Sequence, residues 1–256
     1  MVQINTPYPA TAYLKGFLES RFSRAELIAV QADPALELVL RLFSPAGLDR
    51  LRGAIGKTKK PELHFFLEAF ADYRATVSAA VSYLQGKDLS PEASIAARDF
   101  FPEGPRFAGL HEGGPLLEQF EALPPAQKAQ HVASLFLDDL ADYFKLGADP
   151  TFQFSRYGEK LAASAPNFDA MAKAVNAKPT IVGETLLEIT AELLEKHQPD
   201  FLCLSAPFAG TVLGALQMGK LARARGIPVA LGGGYPNTEL RSLQDPRVFE
   251  SVDFIT

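Results

Sequence analysis

Two periodicities alternate at the ends of the chain, and a single one runs through its middle. Near the start, Val2 to Asn5 has the apolar–polar character of a short strand. After the turn Thr6-Pro7-Tyr8-Pro9, residues Tyr13, Leu14, Phe17 and Leu18 recur at helical spacing and predict a helix over 11–21. Glu26 to Asp33 reads as a second strand ending in Asp-Pro. A second helix over 35–43 follows, with Leu36, Val39, Leu40 and Phe43 on one face. Towards the other end, 181–197 is an amphipathic helix, and Phe201 to Ser205 is apolar on both faces, as a buried parallel strand is. A helix over 211–225 stops at Gly226, a natural residue for the position after a helix. Ile227 to Leu231 is the next strand and runs into Gly232-Gly233-Gly234. A short helical stretch over 237–243 and a fifth strand, Asp253 to Thr256, complete the pattern.

Strand–helix alternation of this kind predicts an α/β fold with a doubly wound, parallel sheet. Five strands predict a flavodoxin-like order, 2-1-3-4-5, with ligands outside the carboxyl ends of the strands. Between the second and third strands the period is helical throughout. Leu63, Phe66, Leu67, Phe70, Val77, Val81 and Leu84 make one face, and Val132, Leu135, Phe136, Leu140, Tyr143 and Phe144 another. The expected organisation is therefore one α/β domain, 1–47 plus 179–256, carrying a large helical insertion, 48–178. The fifth strand has no helix after it to cover its sheet, so the chain is expected to be part of a longer polypeptide.

Composition narrows the function. With 256 residues, 47% hydrophobic, there is enough chain for a full core. A formal net charge of −5 and no Lys/Arg stripe argue against a nucleic-acid partner, and Lys57-Thr58-Lys59-Lys60 reads as a solvated turn. No apolar stretch approaches the ~20 residues needed to cross a bilayer, and the start carries no signal-peptide pattern. Cys203 is the only cysteine, which excludes an internal disulfide and points to a reducing, cytoplasmic compartment. Cys203 itself reads as a small buried hydrophobe.

The candidate chemistry lies at the predicted strand ends: Thr6-Pro7-Tyr8-Pro9 after the first, Ser205-Ala206-Pro207-Phe208-Ala209-Gly210-Thr211 after the third, and Gly232-Gly233-Gly234-Tyr235-Pro236-Asn237 after the fourth. All three fall on one sheet edge. Glycine lets a backbone approach a ligand closely, hydroxyls pair with a buried heterocycle, and helix N-termini offer N–H groups to a phosphate. Ordinary tight βα turns account for the same glycines. The triple glycine is neither Gly-x-Gly-x-x-Gly nor a P-loop.

These loops, with Asp200 to Gly210, Gly232 to Leu243, Asp245 to Phe249 and Asp253 to Thr256, resemble the N-terminal cobalamin-binding region of cobalamin-dependent radical S-adenosylmethionine proteins. The resemblance covers most of the chain, and the helical middle is less diagnostic. It implies a Rossmann-like domain that holds cobalamin by its nucleotide tail. On that basis the cofactor-binding residues are Thr6, Pro7, Tyr8, Ser205, Ala206, Pro207, Phe208, Gly210, Thr211, Gly232, Gly233, Gly234, Tyr235 and Asn237. The Asp-x-His-x-x-Gly of many cobalamin domains is absent after the first strand, so the resemblance implies a base-off, His-off cofactor. Where such domains carry Ser-x-Leu, this chain has Ser205-Ala206-Pro207. One cysteine cannot supply Cys-x-x-x-Cys-x-x-Cys. The iron–sulfur cluster, S-adenosylmethionine and the radical domain, the expected partner, belong to the longer parent enzyme, such as a methyltransferase. Alone, this chain is expected to be a module.

Other titratable residues read as structural. His64 is expected to be packed, His131 at a helix surface and His197 at a helix C-terminus; His111, with Glu112, lies in a Gly-rich solvent loop. Asp138-Asp139 reads as a solvated helix face. Two other functions remain open: a docking domain that binds no cofactor, and a binder of another nucleotide or small anion at the same edge.

Overall fold

The computed structural model describes residue 4 and residues 7–56, 60–111, 113–152 and 168–256. They fall into two compact units: 1–38 with 155–256, and 39–154. In chain order, α1 is Pro9–Arg21 and α2 is Pro34–Leu42. The second unit carries α3 (Pro45–Ile55), α4 (His64–Glu68), α5 (Phe70–Leu84), α6 (Glu92–Ala96), α7 (Ala108–His111), α8 (Pro115–Glu121) and α9 (Pro125–Gly147). The first unit resumes with α10 (Asp169–Asn176), α11 (Ile181–His197), β1 (Leu202–Ser205), α12 (Ala209–Ala224), β2 (Val229–Gly232), α13 (Gly234–Thr238) and β3 (Phe254–Ile255).

The described residues form one parallel sheet of three strands in the order β1-β2-β3, among thirteen helices, and not the expected five strands in the order 2-1-3-4-5. The three strands that form are those expected third, fourth and fifth. Of the first, only Ile4 is described, in a turn; the rest lies outside the described residues. Residues 27–33 lie outside any strand. Ile28 and Val30 are exposed, and the polar side chains at the end of the segment turn to α1 instead of a sheet. Gln31 Nε2 donates to Thr11 Oγ1 at 2.9 Å, and Asp33 Oδ2 accepts the Tyr8 amide at 2.9 Å. Alternating hydrophobicity thus marked a strap, not a strand.

The C-terminal segments fold for reasons visible in their ends. Thr180 opens α11 by accepting the Gly183 amide, and Gln198, in the left-handed region at φ 43°, closes it. After α12, Gly226 turns the chain at φ 78° and so lets β2 run back alongside β1. Register pairs Leu204 with Leu231 and Ser205 with Gly232. Side chains alternate between faces, so Leu204, Val229 and Leu231 point to one side, where they are buried under α12. Phe201, Cys203, Ala230 and Phe254 point to the other. There the rings of Phe201 and Phe254 stack at 6.0 Å, and each is about half exposed. β1 is thus buried on one face only, and Cys203 is exposed, against the expected burial.

In the unit 39–154, α9 supplies the longest buried stripe, from Ala129 to Phe144. Tyr73, Phe136 and Phe101 stack in series, at 5.2 and 4.4 Å. Ser44 caps α3 through the Gly47 amide at 3.1 Å, with Pro45 at the first helical position, and Pro125 opens α9 in the same way. Asp139 lies on the buried stripe at 1% exposure, which corrects the solvated-face reading; Asp138, its neighbour, is half-buried.

Candidate functional site

Two of the three expected loops meet through their backbones at the carboxyl ends of β1 and β2. The Ala206 amide donates to Gly232 O at 2.7 Å, and the Tyr235 amide donates to Ala206 O at 3.2 Å. Gly233, at φ 111°, lies flat on this junction: a Cβ there would stand 2.7–2.8 Å from the backbone atoms of Ala206. A Cβ on Gly234 would meet Pro207 O at 3.2 Å, and one on Gly232 would meet Thr256 Oγ1 at 2.5 Å. These glycines therefore admit the protein's own backbone. The close approach that sequence reserved for a ligand at Gly233 is taken by Ala206.

The N-terminal loop reaches the same edge. The Tyr8 ring meets the Phe208 ring edge to face, with centroids 5.9 Å apart, and both side chains are partly exposed. Thr6 lies outside the described residues; Pro7 and Tyr8 are exposed. Phe208 is the N-cap residue of α12 and provides no side-chain cap, so the first amides of that helix, at buried Ala209 and Gly210, face the strand-end edge without a capping side chain. The Thr211 hydroxyl is spent on Phe208 O at 2.7 Å. Ser205 is half-buried at the end of β1. Tyr235 is half-buried, and desolvation pushes its hydroxyl above the usual tyrosine value, helped by Glu239. Asn237 is exposed on α13, its amide bonded to Gly233 O.

The edge thus has backbone donors, half-buried hydroxyls at Ser205 and Tyr235 and an aromatic pair, without a charged side chain among the expected residues. Among the described residues, no group of three or more His, Cys, Asp or Glu side chains is placed to hold a metal ion. Cys203 lies on the uncovered sheet face, where desolvation pushes its thiol up, away from the reactive thiolate.

Of the four histidines, His197 alone belongs to the same unit as these loops. His197 ends α11, ahead of the amino end of β1. His64 is exposed, not packed as expected; His131 is exposed and its ring lies 5.8 Å from Phe120. His111 ends α7 in a polar cluster: its Nε2 lies 3.0 Å from Glu103, whose carboxylate also takes a fork from Arg98. Arg98 occupies the left-handed position that closes α6, at φ 66°, and its guanidinium also donates to Leu110 O at 3.0 Å. The cluster ties the 98–111 loop to itself.

Sequence reasoning missed Asp33. Its Oδ1 accepts the Leu36 amide at 2.9 Å and so caps α2, while its Oδ2 holds Tyr8. The Asp-Pro pair that seemed to end a strand is also the signature of an N-cap followed by proline.

No known family model matches the chain, and no curated protein or solved structure matches it. No helix among the described residues is long and apolar enough to cross a membrane.

Proposed function

We propose that this chain is a cobalamin-binding module, holding the cofactor by its nucleotide tail, base-off and His-off, for a radical S-adenosylmethionine enzyme such as a methyltransferase. The observation that carries the reading is the meeting of the Pro7–Tyr8, Ser205–Phe208 and Gly232–Tyr235 loops on one edge of a parallel sheet. The donors present fit a nucleotide-like tail in kind. The Ser205 hydroxyl suits a ring nitrogen or ribose, and the uncapped first amides of α12 suit a phosphate. Tyr8 and Phe208 offer a ring face. These loops carry no histidine, which agrees with the His-off form. Bound cobalamin would supply methyl-transfer or radical-assisting chemistry; this chain's residues would bind and orient it. Cluster cysteines would come from another part of the parent enzyme.

The test is direct. The purified chain is mixed with hydroxocobalamin and desalted, and the visible spectrum is read. Retained corrin absorbance of the His-off form is expected. Complete loss of absorbance overturns the reading, and a His-ligated spectrum overturns the His-off assignment.

A second reading, a docking domain without cofactor, is favoured by the uncovered sheet face. Parallel sheets are ordinarily covered on both sides, and here Phe201 and Phe254 stack in the open.

A further inference from the structure

We propose that Asp33 is a positioning residue for the strand-end site, holding Tyr8 against Phe208 so that the pair forms an aromatic rim for the planar ring of a nucleotide-like ligand. The proposal rests on the binding reading above and adds to it a residue outside the expected set. Each carboxylate oxygen of Asp33 has its own task. Oδ1 accepts the Leu36 amide, three residues on, and fixes the start of α2; Oδ2 accepts the Tyr8 amide, 25 residues back, at the N-cap of α1. Gln31 reinforces the second task. Its amide donates to Thr11 Oγ1, which in turn donates to Tyr8 O at 3.4 Å. The strap therefore grips the first turn of α1 at both the amide and the carbonyl of Tyr8. Among the described residues Tyr8 has nothing else of comparable strength to fix it: α1 buries none of its own residues. The geometry then places two partly exposed rings edge to face beside the uncapped start of α12. A third ring docks on such a pair without displacing it.

The two tasks separate chemically. Asparagine caps helices as well as aspartate, but its amide nitrogen cannot accept a hydrogen bond. Asp33→Asn should keep the Leu36 contact, which is local, and lose the Tyr8 contact. In the unliganded protein, NMR is expected to show Leu36 amide protection unchanged and the Tyr8–Phe208 ring NOEs lost. Hydroxocobalamin half-saturation should rise about tenfold, the equivalent of one charge-assisted hydrogen bond. Asp33→Ala should lose both the protection and the NOEs. Ring NOEs unchanged in Asp33→Asn, or lost only together with Leu36 protection, overturn the positioning role. If the NOEs behave as expected but the unsubstituted chain retains no hydroxocobalamin, the binding reading falls and the rim with it, while the tether stands.

Discussion

Replacing Asp139 with Asn should remove a pH window from the stability of the helical unit. Burial pushes the Asp139 carboxyl up from 3.8 to about 6, although the amides of Arg106 and Gly104 and the Tyr73 hydroxyl all donate to it and pull the other way. Asp142 nearby adds to the rise, and Arg106 keeps its guanidinium on Asp142. The folded carboxyl thus holds its proton to higher pH than the unfolded one. Its contribution to stability is fully present below pH 3.8 and is lost as pH rises through about 6. At about 1.4 kcal/mol for each pH unit of displacement, the window is worth about 3 kcal/mol. Asparagine carries no such proton. It also leaves at most one backbone donor unmet, a pH-independent cost of about 1–2 kcal/mol. Relative to the unsubstituted chain, Asp139→Asn should therefore gain about 2.4 kcal/mol between pH 4 and pH 7. Urea unfolding across that range, followed by hydrogen exchange of the α9 amides, measures the difference. Parallel profiles for the two proteins would refute the reasoning, because every other titrating group is common to both.

Two further substitutions probe the same balance between burial and partnering. Tyr143 is 1% exposed and, among the described residues, its hydroxyl has at best a loose partner in the Tyr73 hydroxyl, so Tyr143→Phe should change stability by less than about 1 kcal/mol in urea unfolding; a larger loss would mean the hydroxyl is firmly paired. Gly233→Ala sets a Cβ against the Ala206 backbone at a φ of 111° and should cost about 2–4 kcal/mol in thermal unfolding, whereas a tolerated alanine would show that the two loops stand further apart.

Legibility in the sequence followed burial. β1, β2, α11 and α12 lie where hydrophobic period and capping residues put them, because their apolar faces are packed. The segment 26–33 has the same alternation, yet its fate was decided by Gln31 and Asp33, whose side chains find hydrogen bonds on α1. Pattern counts apolar positions and is blind to where a polar one will reach. Cys203 and Phe201 misled in the opposite direction. An apolar run was taken as burial on both faces, whereas burial also needs a second layer, which no single strand encodes. Asp139 failed for a related reason: its rotation around α9 puts it inward with Phe136 and Tyr143, and only the amides of Gly104 and Arg106 make that tolerable. At the strand ends, the glycines were found but their occupant was not, since a backbone neighbour leaves no trace in composition.

The division of the chain into 39–154 and its two flanks bears on how the protein is made. The helical unit is contiguous, so a ribosome delivers all of it before the first residue of β1 exists. At about 5–20 residues per second, residues 155–256 take roughly 5–20 s more. Tyr13, Phe17, Ile28 and Val30 stay exposed in the folded protein too, so what α1 and the strap await from that stretch is the Phe208 ring, not a cover. The Tyr8–Phe208 contact thus forms only after the whole helical unit has been made.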